Sequence, residues 1–187
     1  MTLVAEKKMT IADFLERDDF EEGYIYELIN GEIMKRTSPN LVHQDASMML
    51  SIHLGTFIAA HNLGKLYAAP TDVYLSKVAD LVVPDLSFVP TANAAYLQPS
   101  GYILGVPDLI VEILSKGTHQ VDRGDKMRLY KRYGVKEYWL ADPIKKSIEV
   151  HVLEDSEYIL KSYAEEFGEI KSWVLSGFSL EVAKIFV

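Results

Sequence analysis

The hydrophobic and polar positions of the chain fall into helical blocks and strand blocks, and the helical blocks are the fewer. Three segments combine the apolar spacing and the end signals of helices: 11–17, 41–61 and 122–133. Thr10 and Asp13 form the capping pattern of the first helix, and Asp122 is the expected cap of the third. Gly64 and Gly134 are the expected stops after the second and third helices.

The other apolar blocks are short and predict strands. They lie at 24–29, 32–36, 66–69, 73–76, 81–89, 108–115, 137–142, 147–154 and 158–164. Asn30-Gly31 joins the first two strands, because this dipeptide suits the type I′ turn of a hairpin. The closing segment 177–187 fits a strand or a helix. This order predicts an α/β (α+β) fold, a central mixed sheet flanked by helices, with residues 1–187 forming one domain.

The block 108–114 is apolar on both of its alternating faces, which is typical of a central strand covered on both sides. Glu112 lies in this strand, where an unpaired carboxylate would be costly to bury. We therefore expect a cation, a basic partner or a metal beside it. The alternative is an edge strand that leaves Glu112 near solvent.

Asp85 interrupts the apolar block 81–89 in a similar way. It follows Pro84, which cannot donate a hydrogen bond to a neighbouring strand and so predicts a bend or an edge there. A plain Pro-Asp turn is the alternative, and Asp85 becomes a site candidate mainly because it can pair with Glu112.

Lys126 shares one face of the third predicted helix with Tyr130 and Tyr133. A lysine within such a stripe can point inward toward the acids, and an ordinary solvated lysine is the alternative.

The predicted hairpin adds two acids. A two-residue turn pairs Ile29 with Glu32, so Glu27 and Glu32 fall on one face. His43 lies in the first turn of the following helix, where it is either a site residue or a surface or capping histidine. The remaining histidines have no zinc-binding spacing: His53, His61, His119 and His151.

Composition narrows the function further. The 187 residues include no cysteine, which excludes disulfides, thiolate zinc sites and cysteine nucleophiles. No signal-peptide or membrane-spanning pattern is present, so we expect a soluble cytoplasmic protein without a membrane partner. The net charge of −8 argues against non-specific coating of nucleic acid. The window 123–146 nevertheless holds eight basic and three acidic residues, as a phosphate track or a solvated helix face would.

Several catalytic motifs are missing from the sequence, including the GxSxG elbow, the P-loop and the GxGxxG turn. Two or more acids and a lysine remain. Carboxylate oxygens suit Mg²⁺ or Mn²⁺, and a metal held by two acids can activate water and stabilise charge on a phosphoryl oxygen. A nearby lysine can orient that water.

Five segments together resemble the Uma-two family of restriction-endonuclease-like proteins, from about Tyr26 to the C-terminus. They are YELINGEI, VVPDLSFV, PDLIVEILS, DRGDKMRLYKRYGVKEYWLADP and a closing GFSL with IF near the end. The resemblance implies a PD-(D/E)XK nuclease fold in which Asp85 and Glu112 are the two metal-binding acids. Leu114 stands where that pattern has its lysine, so the resemblance points to Lys126 for this role.

The resemblance also implies that Glu27 or Glu32, together with His43, assists at the site. The implied activity is Mg²⁺- or Mn²⁺-dependent hydrolysis of DNA phosphodiester bonds, with Lys126 supporting the attacking water. A two-fold homodimer is expected as well, with the aromatic, strand-rich second half as its interface.

Two other functions stay open at this point. The first is a catalytically silent nuclease-like domain that binds DNA or a protein. The second is a metal-dependent phosphohydrolase that acts on a small molecule.

Overall fold

The structure is a computed structural model, and it describes residues 8–186. Its α-helices are α1 (Ile11–Leu15), α2 (Leu41–Ala60), α3 (His119–Val121) and α4 (Met127–Tyr133). A π-helical segment, Asp122–Lys126, joins α3 to α4, and Thr91–Tyr96 and Val182–Lys184 are 3₁₀ turns. No helix within residues 8–186 is both long and apolar enough to cross a membrane.

Thirteen strands lie in the described part of the chain. They are β1 (Tyr24–Ile29), β2 (Glu32–Thr37), β3 (Gly64–Ala68), β4 (Val73–Tyr74), β5 (Leu81–Val82), β6 (Leu86–Pro90), β7 (Ile103–Leu104), β8 (Leu109–Ile113), β9 (Glu137–Asp142), β10 (Ser147–Glu154), β11 (Glu157–Glu165), β12 (Glu169–Lys171) and β13 (Ser179–Glu181).

These strands form two mixed sheets and one small antiparallel pair. The larger sheet has the order β11-β10-β9-β8-β6-β3, and the second has the order β2-β1-β5-β4-β7. β12 pairs with β13. Neighbours are antiparallel except β8 with β9 and β4 with β7. The predicted mixed sheet with flanking helices is confirmed.

Strand β8 occupies the centre of the larger sheet, as its pattern predicts. Leu109, Val111 and Ile113 face a core cluster that includes Leu50 and Leu54 of α2. On the other face, Ile110 and Leu114 belong to a second cluster with Leu129 and Tyr130 of α4. The edge-strand alternative for Glu112 is therefore wrong, and Glu112 is 2% exposed.

The predicted strand 81–89 is divided in two. β5 pairs with β1 and β4 in the second sheet, whereas β6 pairs with β3 and β8 in the larger sheet. Pro84 lies at the break, where the chain leaves one sheet for the other because proline cannot donate to a strand pair. Asp85, directly after it, is thereby placed between the two sheets.

The N-terminal cap prediction is confirmed, since Thr10 and Asp13 form a capping box, although α1 ends at Leu15. The cap prediction for Asp122 is wrong. The helical stretch begins earlier, at His119, and Asp122 is a buried residue inside it. The closing segment contains both a strand, Ser179–Glu181, and a 3₁₀ turn.

Candidate active site

Five of the residues singled out from the sequence meet where the two sheets and the α3–α4 helix converge. They come from β1, α2, the β5–β6 connection, β8 and the π-helical segment: Glu27, His43, Asp85, Glu112 and Lys126. The three acids and the lysine are each 2% exposed or less, and His43 is 7% exposed. Because burying charge is costly, these groups must satisfy one another.

Lys126 holds two of the acids together. Its Nζ lies 3.0 Å from Oε1 of Glu112 and 3.0 Å from Oε1 of Glu27. Asp122, one helical turn earlier, lies 3.7 Å away. Tyr130 donates a hydrogen bond of 2.7 Å from its hydroxyl to Oε1 of Glu112. The inward-facing helix stripe is thus present for Lys126 and Tyr130.

Asp85 is anchored through one oxygen and open at the other. Its Oδ2 accepts a hydrogen bond of 2.7 Å from the Ile113 backbone N–H and lies 3.2 Å from Nε2 of His43. Its Oδ1 is buried without a hydrogen-bond partner. His43 is held by Asn40, whose side chain caps α2 by accepting from the His43 N–H. Asp85 therefore has a fixed position and an oxygen available to a ligand.

Arg36 of β2 is a site residue that the sequence analysis missed. Its Nη1 lies 3.7 Å from Oδ1 of Asp85, and its Nε lies 3.7 Å from Oε2 of Glu27. Nη2 donates to the Val83 carbonyl, whereas Nε has no hydrogen-bond partner. The hairpin register could have revealed it, because Glu27 pairs with Met34 and Arg36 is two residues further on the same face.

The structure separates the two hairpin glutamates. Glu27 is buried, and its Oε1 accepts a 2.7 Å hydrogen bond from the Val83 N–H as well as contacting Lys126. Glu32 lies beside the Asn30-Gly31 turn, is exposed, and does not join the cluster. β5 pairs with β1 at Leu28, next to Glu27.

A cavity of about 570 Å³ opens onto only part of this cluster. Asp85, Glu112, His43 and Arg36 line it, together with the loop 115–118 and the start of α2. Lys126 does not line the cavity and lies behind the carboxylate of Glu112. Of the two permanent cations in the cluster, Arg36 is therefore the one that lines the cavity, and Lys126 supports the acids from behind.

The pKa values of the two acids at the cavity are shifted in opposite directions. Burial raises the pKa of Glu112 to about 8, since repulsion from Asp122, Asp85 and Glu27 adds to it and Lys126 offsets only part. Burial also acts on Asp85, but the hydrogen bond and charge of His43, the charge of Arg36 and the Ile113 N–H hold its pKa below the usual value. Asp85 is thus an anion at neutral pH, whereas Glu112 titrates close to it.

The lysine remains charged despite its burial. Burial alone would lower the pKa of Lys126, but the surrounding carboxylates of Glu112, Glu27 and Asp122 raise it above its ordinary value. Tyr130, whose hydroxyl donates to Glu112, also has a raised pKa through burial. Neither group can accept a proton at neutral pH, so both act as donors.

The helix that supplies Lys126 is irregular at this point. Asp122–Lys126 is π-helical, a conformation that occurs frequently at functional sites. Asp122 is 1% exposed, and its Oδ1 has no hydrogen-bond partner. Its burial raises its pKa, as does repulsion from Asp85 and Glu27. The sequence analysis named Asp122 only as a helix cap. Its place in the site depends on its burial beside Lys126, which the local sequence does not reveal.

The donor set allows a small cation site. Within residues 8–186, no group of three or more histidine or acidic side chains is arranged to hold a metal. Asp85 and Glu112 offer two carboxylates at one cavity, with Oδ1 of Asp85 unpartnered and both hydrogen bonds to Glu112 made at Oε1. Such a pair, completed by water and phosphate oxygens, fits Mg²⁺, which keeps several waters and needs few carboxylates.

The basic window 123–146 is largely neutralised by its surroundings. Six of its eight basic residues form ion pairs: Arg123, Lys126, Arg128, Lys131, Arg132 and Lys136. Arg123 binds Glu149 and Lys136 binds Asp108, for example. The helix itself is thus not a continuous phosphate track, and only Lys145 and Lys146 in this window make no ion pair within residues 8–186.

Comparisons with known proteins identify the fold and the family. A search of the solved structures finds a crystal structure titled as a "putative nuclease belonging to DUF820" from Anabaena variabilis ATCC 29413. It shares 17% identity with a TM-score of 0.72, covering 95% of this chain and 97% of that chain, which shows a common fold. No curated protein gives a significant match. The family model Uma2, described as "Putative restriction endonuclease", matches residues 11–183, so the chain belongs to the Uma-two family of restriction-endonuclease-like nucleases.

Proposed function

We propose that this chain is a metal-dependent DNA endonuclease that hydrolyses phosphodiester bonds, with Mg²⁺ or Mn²⁺ held by Asp85 and Glu112. One observation carries the proposal: these two carboxylates line the same cavity, and the buried Oδ1 of Asp85 accepts no hydrogen bond, with only the guanidinium of Arg36 3.7 Å away. An orphaned buried acceptor is costly unless a ligand satisfies it.

The charge of the cluster supports a divalent cation. Four carboxylates lie within it, and only two side chains are permanently positive, namely Arg36 and Lys126. With all four acids ionised, the two permanent cations balance only two of the four negative charges. Beyond the effect of burial, the raised pKa of Glu112 reflects this excess of negative charge, because repulsion from Asp122, Asp85 and Glu27 disfavours its ionised form. A bound divalent cation would balance this excess.

At these carboxylates a divalent cation would supply Lewis-acid polarisation of the phosphate and a lower pKa for water. The protein's part is to position and stabilise. Lys126 and Tyr130 both bind Oε1 of Glu112, which leaves Oε2 of this cavity-lining residue as the oxygen for a cation. Because the pKa of Lys126 is raised, it serves as an electrostatic support and not as a general base.

Arg36 has the properties of a phosphate-binding residue. It lines the cavity beside Asp85, and its Nη1 lies 3.7 Å from Oδ1 of Asp85 without a hydrogen bond to it. A guanidinium matches the oxygens of a phosphate in shape and charge, and in a water-poor site it stabilises the charge that develops during phosphoryl transfer. We assign Arg36 to the non-bridging oxygens of the scissile phosphate.

DNA is favoured as the substrate by family membership, since the Uma2 family model is described as "Putative restriction endonuclease". The two other functions remain outcomes of the test. A silent DNA- or protein-binding domain would bind metal or DNA without turnover. A small-molecule phosphohydrolase would turn over a nucleotide and would not bind duplex DNA.

The decisive experiment is cleavage of supercoiled, linear and single-stranded DNA by the full chain with Mg²⁺ or Mn²⁺. We expect cleavage that Asp85→Asn and Glu112→Gln each abolish, because both substitutions keep hydrogen-bond acceptors but remove a metal-binding charge. Glu32→Gln is the matched control, since Glu32 lies outside the cluster. This variant should cleave DNA as the wild type does. Full activity in either Asp85→Asn or Glu112→Gln would place the active site elsewhere.

We also propose the two-fold homodimer that the sequence analysis expects. The outer strand of the larger sheet, β11, exposes Ile159, Leu160 and Tyr163. An exposed apolar edge strand is available for pairing with a second copy. Light scattering should give twice the chain mass, and Leu160→Lys should return it to the monomer mass.

A further inference from the structure

The turn between β9 and β10 presents two unpaired lysines beside the catalytic cavity. Lys145 and Lys146 are exposed and form no ion pair within residues 8–186. Pro143 and Ile144 of the same turn line the cavity that contains Asp85. Most other basic residues of this region are already occupied by acids, so these two are the charges available to an anionic partner.

This turn is held rigidly before anything binds. Oδ1 of the buried Asp142 accepts hydrogen bonds from the backbone N–H groups of Ile144, at 3.0 Å, and Lys145, at 3.1 Å. On the other side, the Glu166 N–H donates to the Lys146 carbonyl at 2.8 Å. A contact loop with a fixed backbone loses little entropy on binding, which favours a recognition role.

A third unpaired lysine belongs to the cavity lining itself. Lys116 lies in the loop after β8, three residues beyond the strand that carries Glu112, and it is exposed. It also forms no ion pair within residues 8–186. Unpaired lysines therefore lie on two separate loops that border the cavity, and the cavity itself contains Asp85 and Glu112.

An exposed apolar side chain accompanies these lysines. Ile144 is 71% exposed at the tip of the turn. An isoleucine beside lysines at the mouth of a cavity suits a ligand with alternating charged and apolar surface. The sugar-phosphate backbone of a nucleic acid has this character, and some DNA-binding proteins do place aliphatic side chains against DNA, between base steps.

We infer that the turn 143–146 and Lys116 form the contact surface for the DNA backbone next to the cleaved bond. Lys116, Lys145 and Lys146 bind phosphates that flank the one in the cavity, and Ile144 packs against the adjoining sugar. This inference rests on the proposed function for its substrate. It adds which surface holds the strand and predicts that affinity depends on salt through these lysines.

The test measures binding of the full chain to a fluorescent duplex in Ca²⁺ over a range of KCl concentrations. Each lost phosphate contact lowers the slope of log Kd against log salt by about 0.9 in B-form DNA. We expect Lys145→Gln/Lys146→Gln to lower the slope by about 1.8. The matched control is Lys65→Gln/Lys171→Gln, which removes the same charge from two exposed lysines that belong to neither the turn 143–146 nor the loop 115–118, and it should keep the wild-type slope.

Two further variants separate charge from apolar contact. Lys116→Gln should lower the slope by about 0.9. Ile144→Ser should weaken binding at every salt concentration while the slope stays at the wild-type value. The inference would be overturned if Lys145→Gln/Lys146→Gln and the control pair gave equal slopes. It would also be overturned if the wild type did not bind the duplex. Cleavage in Mg²⁺ is measured separately. If the wild type cleaves DNA but the turn variants bind it with the wild-type slope, only the inference about the turn fails and the proposed function remains.

Discussion

The Nζ of Lys126 lies 3.0 Å from Oε1 of Glu112, although the two residues are fourteen positions apart. In the plain PD-(D/E)XK pattern the lysine comes two residues after the acid, where this chain has Leu114. Leu114 belongs instead to an apolar cluster with Leu129 and Tyr130. The charge is thus supplied from the neighbouring helix, behind the acid that it supports.

Removing this lysine should destabilise the protein strongly. We expect Lys126→Met to lower the free energy of unfolding by about 3–5 kcal/mol, because it leaves Glu112, Glu27 and Asp122 buried without their cation. Urea denaturation measures the change. In the Lys126→Met background, Glu112→Gln should restore part of the stability, since it removes one of the stranded charges. Purely additive losses would contradict this interpretation.

The pKa of Glu112 makes the metal-free protein more stable in acid than in weak alkali. This pKa rises from 4.5 in the unfolded chain to about 8 in the folded one. The folded state therefore holds a proton that the unfolded state has lost, and this contribution to stability is full below pH 4.5 and is lost as the pH rises through 8. The raised pKa of Asp122 acts in the same direction.

Thermal unfolding in EDTA should accordingly show a melting temperature that falls between pH 5 and 8, with a smaller fall in Glu112→Gln. A melting temperature that rises across this interval in the wild type would contradict the assignment.

Metal binding should show the complementary pH dependence. Glu112 must lose its proton to bind a cation, so the apparent affinity for Mn²⁺ should rise about tenfold per pH unit and level off near pH 8. Calorimetric titration of the full chain with Mn²⁺ measures it. Asp85 does not limit binding in this range because its pKa is already low. A pH-independent affinity would exclude Glu112 as a ligand.

Arg36 should affect turnover more than metal binding. We expect Arg36→Gln to lower kcat for DNA cleavage by about 10²–10³-fold, which is typical of losing one donor to a developing oxyanion. Arg36→Lys should restore part of this loss by returning the charge without the planar fork. Mn²⁺ affinity, measured in parallel, should change much less. Wild-type kcat in Arg36→Gln would remove Arg36 from the phosphate site.

Glu137 should be a structural acid with no catalytic role. It is 0% exposed and accepts from the Trp139 indole N–H, the Ser172 hydroxyl and the N–H groups of Trp173 and Val174. Glu137→Ala strands these donors and should lower the free energy of unfolding by at least about 3 kcal/mol. DNA cleavage measured well below the melting temperature should keep its wild-type metal dependence.

Local sequence signals predicted much of the fold. The Asn30-Gly31 turn fixed the hairpin register, and strands 137–142 and 147–154 have the predicted bounds because their apolar patterns are uninterrupted. The two short strands β7 and β12 were missed, since two or three residues carry no readable period. For the predicted strand 81–89, the sequence indicated an interruption at Pro84 but not that β5 and β6 join different sheets. The sheet that each strand joins depends on pairing with residues distant in sequence.

By itself the sequence determined the central strand, the hairpin register and the acids that could share a site, because these depend on alternation and turn chemistry within a few residues. The tertiary structure decided which charges meet. It brought Glu27 and not Glu32 to Lys126, added Arg36 and Asp122, and neutralised most of the basic helix. These pairings follow from burial, because a charge that is removed from water is costly unless an opposite charge lies beside it. Burial depends on how the whole molecule packs, so the local sequence does not reveal it.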